Sequence, residues 1–87
     1  MSTPDIVLYV TGWCPFCDRA RDLLVKKGLA YREINIDEDG ESREEMMARS
    51  GRRTVPQIFI GDRHIGGCDD LFALEGSGGL DRLIQGA

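Results

Sequence analysis

The segment "IVLYV", residues Ile6 to Val10, restricts the fold of this chain more than any other. Five consecutive apolar residues rich in β-branching describe a strand covered on both faces, because a strand with one wet face alternates apolar and polar positions. Gly12 ends the run, and from Pro15 the apolar period becomes helical. Phe16, Ala20, Leu23 and Leu24 share a face, with Asp18, Arg19, Arg21, Asp22 and Lys26 elsewhere. Pro15 suits a first helical position, Lys26 and Lys27 suit the negative end of the helix dipole, and Gly28 suits the left-handed residue that stops a helix. Tyr31 to Ile36 reads as a second strand with Ile34 and Ile36 on one side. Strand, helix and strand in such close succession demand a parallel pair with a right-handed crossover.

The remaining elements follow from similar signals. Ser42 and Glu45 fit a capping box for a second helix carrying Met46, Met47 and Ala48 and stopping near Gly51. Gln57 to Ile60, the turn Gly61-Asp62 and Arg63 to Ile65 predict a hairpin. Asp69 or Asp70 caps a short helix through Leu74, and after "GSGG" a last amphipathic turn uses Leu80, Leu83 and Ile84. The order β-α-β-α-β-β-α is an α/β fold: a mixed four-stranded sheet with helices on both faces. The 87 residues make one domain, 1–87, with no internal repeat or linker.

Composition narrows the functions. A formal net charge of −4 leaves no basic footprint for nucleic acid, and no Lys/Arg block suggests a membrane surface. The apolar run near the start is too short for a signal core or a membrane span, so the expected location is the cytoplasm. Three cysteines are an odd count, which disfavours a secreted disulfide framework.

Two of those cysteines, Cys14 and Cys17, flank Pro15-Phe16 at the junction of the first strand and the first helix. A helix N-terminus carries unpaired N–H groups and about half a positive charge. A thiolate there is stabilised, and reactive cysteines in such settings have pKa values of about 3.5–7.5 against about 8.5 for a free thiol. Cys14 is then the nucleophile and Cys17 the second thiol, with Asp18 a mild counterweight. Two other readings stand beside this one. One is a structural disulfide. The other is a zinc site recruiting Cys14, Cys17, His64 and Cys68.

"CPFC" at Cys14–Cys17, "TVPQIFI" at Thr54–Ile60 and "HIGGCDD" at His64–Asp70 together resemble a glutaredoxin of the small bacterial dithiol kind. The similarity covers nearly the whole chain, with the motifs in the family's order and spacing. It implies the thioredoxin fold and a glutathione-dependent thiol–disulfide oxidoreductase. Such an enzyme reduces protein–glutathione mixed disulfides and some protein disulfides. Cys14 attacks the glutathione sulfur, and either a second glutathione or Cys17 resolves the mixed disulfide. Glutathione is then the reducing co-substrate rather than a resident cofactor. The partners are glutathionylated or disulfide-containing proteins, met by a monomer.

The resemblance also distributes roles. Thr54-Val55-Pro56 corresponds to a cis-proline turn that presents the Val55 backbone to the cysteine part of glutathione, as an added strand would. Gly67 lets the backbone approach, Cys68 and Asp69 offer N–H groups to the γ-glutamyl carboxylate, and Asp70 faces its ammonium group; the plainer role of the aspartates is to cap the helix. Cys68 itself reads as a small buried residue without redox function. Thr11 stands where family members often carry a lysine, so Arg52 or Arg53 is expected to take the glycine carboxylate. Phe16 replaces a common tyrosine and keeps a ring beside the sulfurs. Trp13 is either an exposed platform or helix-entry packing, and His64 reads as an edge residue. Outside the enzyme class, the resemblance allows a protein holding a [2Fe-2S] cluster through Cys14 and glutathione thiols, a reading that Pro15 and Cys17 oppose. A thioredoxin would usually carry Gly-Pro between its cysteines.

Overall fold

A computed structural model of the chain describes residues 4–85, so the extreme ends of the expected 1–87 domain lie outside the described residues. The elements are β1 (Ile6–Val10), α1 (Pro15–Lys26), β2 (Arg32–Asn35), α2 (Gly40–Ser50), β3 (Gln57–Ile60), β4 (Arg63–Gly66), α3 (Cys68–Gly76) and α4 (Gly79–Gln85). The sheet order is β2-β1-β3-β4. β1 runs parallel to β2, with Leu8 opposite Glu33, and antiparallel to β3, with Leu8 opposite Ile58. The hairpin expected at Gly61-Asp62 joins β3 to β4, and its register shifts between Ile58 and Phe59. This is the thioredoxin fold, with its mixed sheet.

All five residues of β1 are buried, as a strand between two layers requires. Side chains alternate across it. Ile6, Leu8 and Val10 join Cys17, Ala20, Leu23, Leu24, Leu71 and Leu80 from α1, α3 and α4. Val7 and Tyr9 face the opposite way and pack with Ile36, Phe59 and Met46 of α2. Helices therefore cover both faces, three on one side and one on the other.

The buried face of α1 and the start of α2 differ from the sequence expectation. In α1 the first turn turns Cys17 inward, whereas Phe16 is 53% exposed. Cys17, Ala20 and Leu24 are spaced three and four apart and so form one line down the helix, with Phe16 on its flank. α2 begins two residues before Ser42, because Asp39 is the N-cap and accepts the Ser42 N–H at 2.6 Å. Its end is as expected: Gly51 takes φ 70° and its N–H bonds the Met47 carbonyl.

Candidate active site

Cys14 is the N-cap of α1. Its backbone is extended, at φ −155° and ψ 98°, and its sulfur accepts the Cys17 N–H at 3.2 Å. Sulfur here occupies the place where helices usually carry a Ser, Thr, Asn or Asp oxygen. Pro15 follows at the first helical position, where its missing N–H removes no helix bond. A directed N–H and the positive end of the helix dipole thus converge on Sγ, and both favour thiolate over thiol. Asp18 opposes them less than its charge suggests, since Arg21 binds its carboxylate at 2.6 Å.

The two cysteines are not equivalent. Cys17 is fully buried, while Cys14 is half-buried and packs at the edge of the core. They are joined as a disulfide with Cα atoms 5.1 Å apart. Of the pair, Cys14 is the sulfur an incoming molecule can reach. Trp13 is 86% exposed, which removes the packing role and leaves an open ring next to Cys14. Thr11 orders this approach, its hydroxyl donating to the Trp13 carbonyl at 3.4 Å.

The Val55-Pro56 bond is cis, as the resemblance implies. The Val55 carbonyl oxygen lies 3.9 Å from Cys14 Sγ, so the Thr54-Val55-Pro56 turn and the CPFC turn meet. The start of α3 joins them. A Cβ placed on Gly67, the N-cap of α3, would stand 3.5 Å from the Pro56 carbonyl. A helix start leaves its first N–H groups without helical partners, and here those groups belong to Cys68, Asp69 and Asp70.

Asp70 caps α3. Its Oδ2 accepts the Gly67 N–H at 2.9 Å and an Arg52 N–H at 3.0 Å. The Gly67 bond, then the Arg52 bond, hold the carboxyl below its ordinary value. Asp69 is exposed beside it. Cys68 is 4% exposed, and burial pushes its thiol up, away from reactivity at neutral pH. Arg53 is exposed and makes no ion pair among the described residues, unlike Arg52.

Cys14, Cys17, Thr54, Val55, Pro56, Gly67, Cys68, Asp69 and Asp70 therefore fall on one end of the sheet, around the β1–α1 junction. The zinc set does not assemble: among the described residues no three His, Cys, Asp or Glu side chains converge on a point that could hold a metal. His64 is half-buried on the edge strand β4 and bonds Gln57 at 2.7 Å. Gln57 was not singled out by sequence reasoning. Its signal was a polar residue opening an otherwise apolar strand directly after Pro56.

The sequence model of the glutaredoxin family matches residues 6–65. Glutaredoxin 3 of Escherichia coli K12 is 53% identical over 81 residues, which cover 93% of this chain and 98% of that relative. The chain belongs to the glutaredoxin family. This glutaredoxin is similar in structure to the glutaredoxin of Brucella melitensis, with a TM-score of 0.85 at 51% identity over 97% of this chain and 91% of the other. A buckwheat glutaredoxin in complex with glutathione matches with a TM-score of 0.85 at 30% identity, covering 95% of this chain and 77% of that one. Glutaredoxins are thiol–disulfide oxidoreductases, and the Cys14–Cys17 disulfide fits the CxxC-type active site of that family. Among the described residues, no helix is long and apolar enough to cross a membrane.

Proposed function

We propose that this glutaredoxin reduces protein–glutathione mixed disulfides, and some protein disulfides, with glutathione as electron donor. The observation that carries the reading is the asymmetry of the cysteine pair: Cys14 is reachable and capped by an N–H, whereas Cys17 is buried. The Cys14 thiolate attacks the glutathione sulfur of the mixed disulfide. The protein sulfur leaves as thiolate and takes a proton from water, and Cys14 is left joined to glutathione. A second glutathione thiolate then attacks that glutathione sulfur, releasing oxidised glutathione and restoring the Cys14 thiolate. For protein disulfides the Cys14 thiolate attacks one substrate sulfur and expels the other as thiolate. The Cys17 thiolate then attacks Cys14 Sγ, forming the internal disulfide and expelling the remaining substrate thiolate, so that the substrate leaves as a dithiol. Two glutathione molecules reduce that disulfide and leave as oxidised glutathione. Exchange is fastest when the attacking thiol is ionised near ambient pH, which the N-cap position favours.

The glutathione itself is read as lying along the three convergent segments. The Val55 backbone pairs with its cysteine part, beside the Phe16 ring. The first N–H groups of α3, at Cys68 and Asp69, take the γ-glutamyl carboxylate, and an aspartate of the pair takes the ammonium group. Gly67 keeps this approach open. For the glycine carboxylate Arg53 is the better candidate, because Arg52 is already engaged with Asp70. The buckwheat protein's complex supports a glutathione site on this fold. A monomer working in the reducing cytoplasm on glutathionylated proteins suits this chemistry.

Turnover of a glutathionylated peptide by wild type, Cys14→Ser and Cys17→Ser, with glutathione as reductant, tests the assignment. Wild type and Cys17→Ser are expected to turn over, and Cys14→Ser to be inert. Activity surviving in Cys14→Ser would transfer the nucleophile to another sulfur, and an inert reduced wild type would remove the reading altogether.

A further inference from the structure

Beneath the Thr54-Val55-Pro56 turn lies Gln57, the one fully buried polar side chain among the described residues. A buried amide without partners destabilises a fold, so its bonds define its use. Its Nε2 donates to the Thr54 carbonyl at 3.0 Å and lies 3.2 Å from the Thr54 hydroxyl. A carbonyl oxygen only accepts, which settles the end of the amide that faces Thr54. Oε1 must then face His64, whose Nε2 is 2.7 Å away. An oxygen acceptor there requires the His64 Nε2 to carry a hydrogen, so the neutral ring is held in one tautomer.

His64 is fixed from one face as well as its edge. Its ring lies on Phe59 with centroids 4.9 Å apart and planes tilted by 32°. The Arg49 guanidinium sits 4.1 Å from the Phe59 centroid. The charged groups that act on His64 are Arg52 after α2, Asp70 on α3 and Arg49 on α2. Burial first, and then Arg52, lower its pKa, so the ring is neutral at neutral pH. The register shift between Ile58 and Phe59 sets Phe59 opposite His64, which leaves the ring diagonal to Gln57.

We propose that Gln57 and His64 are positioning residues for the Thr54-Val55-Pro56 turn. His64 orients Gln57, Gln57 holds both oxygens of Thr54, and Thr54 thereby sets the direction in which the Val55 backbone faces Cys14. Thr54 is exposed, so without this anchor its carbonyl would bond water and the turn would lose a fixed orientation. The inference rests on the reading of Val55 as the glutathione contact, and it deepens that reading by naming what aims it.

The test compares wild type with His64→Phe, which keeps the stacked ring but removes the donor, and His64→Gln, whose amide N–H₂ reaches the place of Nε2. With a glutathionylated peptide, His64→Phe is expected to raise KM about fivefold, the order expected for one lost hydrogen bond, with kcat within about twofold. His64→Gln is expected to return KM to near the wild-type value. Gln57→Met should move KM in the same direction as His64→Phe; should it fail to fold, the two His64 variants decide. Two spectroscopic readouts do not depend on activity. The ring nitrogens of wild-type His64 should show the Nε2–H tautomer, and the Val55 amide signal should shift in His64→Phe and return in His64→Gln. A folded His64→Phe with unchanged KM and an unmoved Val55 signal overturns the proposal. So does a His64→Gln as impaired as His64→Phe, or an Nδ1–H tautomer in wild type. If wild type itself does not turn over, the functional reading has failed, and the tautomer with the Val55 signal alone decides whether the anchor exists.

Discussion

At Gly66 the backbone takes φ 121°, a region that side chains rarely enter, and a Cβ there would run into the Asp70 carboxylate. The neighbouring Gly67 has φ −91°, and its Cβ would meet the Pro56 carbonyl only at ordinary contact distance. The two glycines of one motif therefore do different work. Gly66 permits the strand to turn so that Asp70 can fold back onto the Gly67 N–H; Gly67 starts α3 beside the proline turn in a space that would also hold a methyl group. Gly66→Ala should lower the urea-unfolding free energy by about 1–3 kcal/mol, the order of a strained backbone position, while Gly67→Ala should change it by well under half as much. Equal effects from the two substitutions would contradict the assignment. This is also the scale at which the sequence was least explicit. "GGCDD" pointed to glutathione contacts only through the family resemblance, since on its own the pattern also reads as a helix cap. The Asp70 bond to the Gly67 N–H is the helix cap that was the plainer expectation; the second bond, from Arg52, was not legible, since it depends on a long-range approach. Gln57 escaped for the same reason: its two partners, Thr54 and His64, lie in the turn and on another strand.

At the scale of elements, the strongly periodic segments were legible and the weakly periodic one was misplaced. β1 and α1 announce themselves through a pure apolar run and a clean amphipathic face, and their observed bounds are the expected ones. α2 buries only Met46 completely, so its apolar pattern could not locate its start, and two capping signals competed. Ser42-x-x-Glu45 had the form of a capping box, but Asp39 lies three residues earlier and accepts the Ser42 N–H at 2.6 Å. A carboxylate at the N-terminus also gains from the helix dipole, which a hydroxyl does not. Asp39→Ala should therefore destabilise the protein by about 1 kcal/mol, as loss of an N-cap does. Ser42→Ala should have a much smaller effect, because Ser42 contributes its backbone N–H, not its hydroxyl, to this cap. Chemical denaturation of the two variants distinguishes them, and a larger loss from Ser42→Ala would restore the capping box. The helix is tied further in by the Tyr9 hydroxyl, which donates to Glu45 and accepts from Arg49, both at 2.9 Å. That bond joins the surface of α2 to the central strand and compensates for the helix's small apolar face.

At the scale of the whole molecule, the site lies at one end of the sheet and depends on α1 and α3 keeping their relative position, since Cys14 begins one and the N–H groups proposed for glutathione begin the other. Their far ends are held by a single cation. Lys27, the C-cap of α1, reaches Glu75 of α3 at 2.8 Å and Asp81 of α4 at 2.7 Å. It also stands at the negative end of the α1 dipole, where a positive charge is favoured. Asp81, Glu75 and their hydrogen bonds raise the Lys27 pKa above its ordinary 10.5. A raised folded pKa contributes stability that is fully present below the unfolded value and is lost as pH rises through the folded one. Lys27→Met keeps the aliphatic stem and removes the charge, leaving the Glu75 carboxylate, one of whose oxygens is buried without a partner, facing Asp81 uncompensated. The variant should be less stable than wild type from neutral pH up to about pH 10, and the difference should close as wild-type Lys27 deprotonates. Hydrogen exchange should locate the loss, with α4 and the end of α3 exchanging faster while β1 and β3 keep their protection. Turnover should fall less than stability, because β1, the α1 start and the proline turn belong to the sheet end that this clamp does not touch. A stability difference that stays constant through the Lys27 titration would show that the stem, not the charge, holds the three helices together.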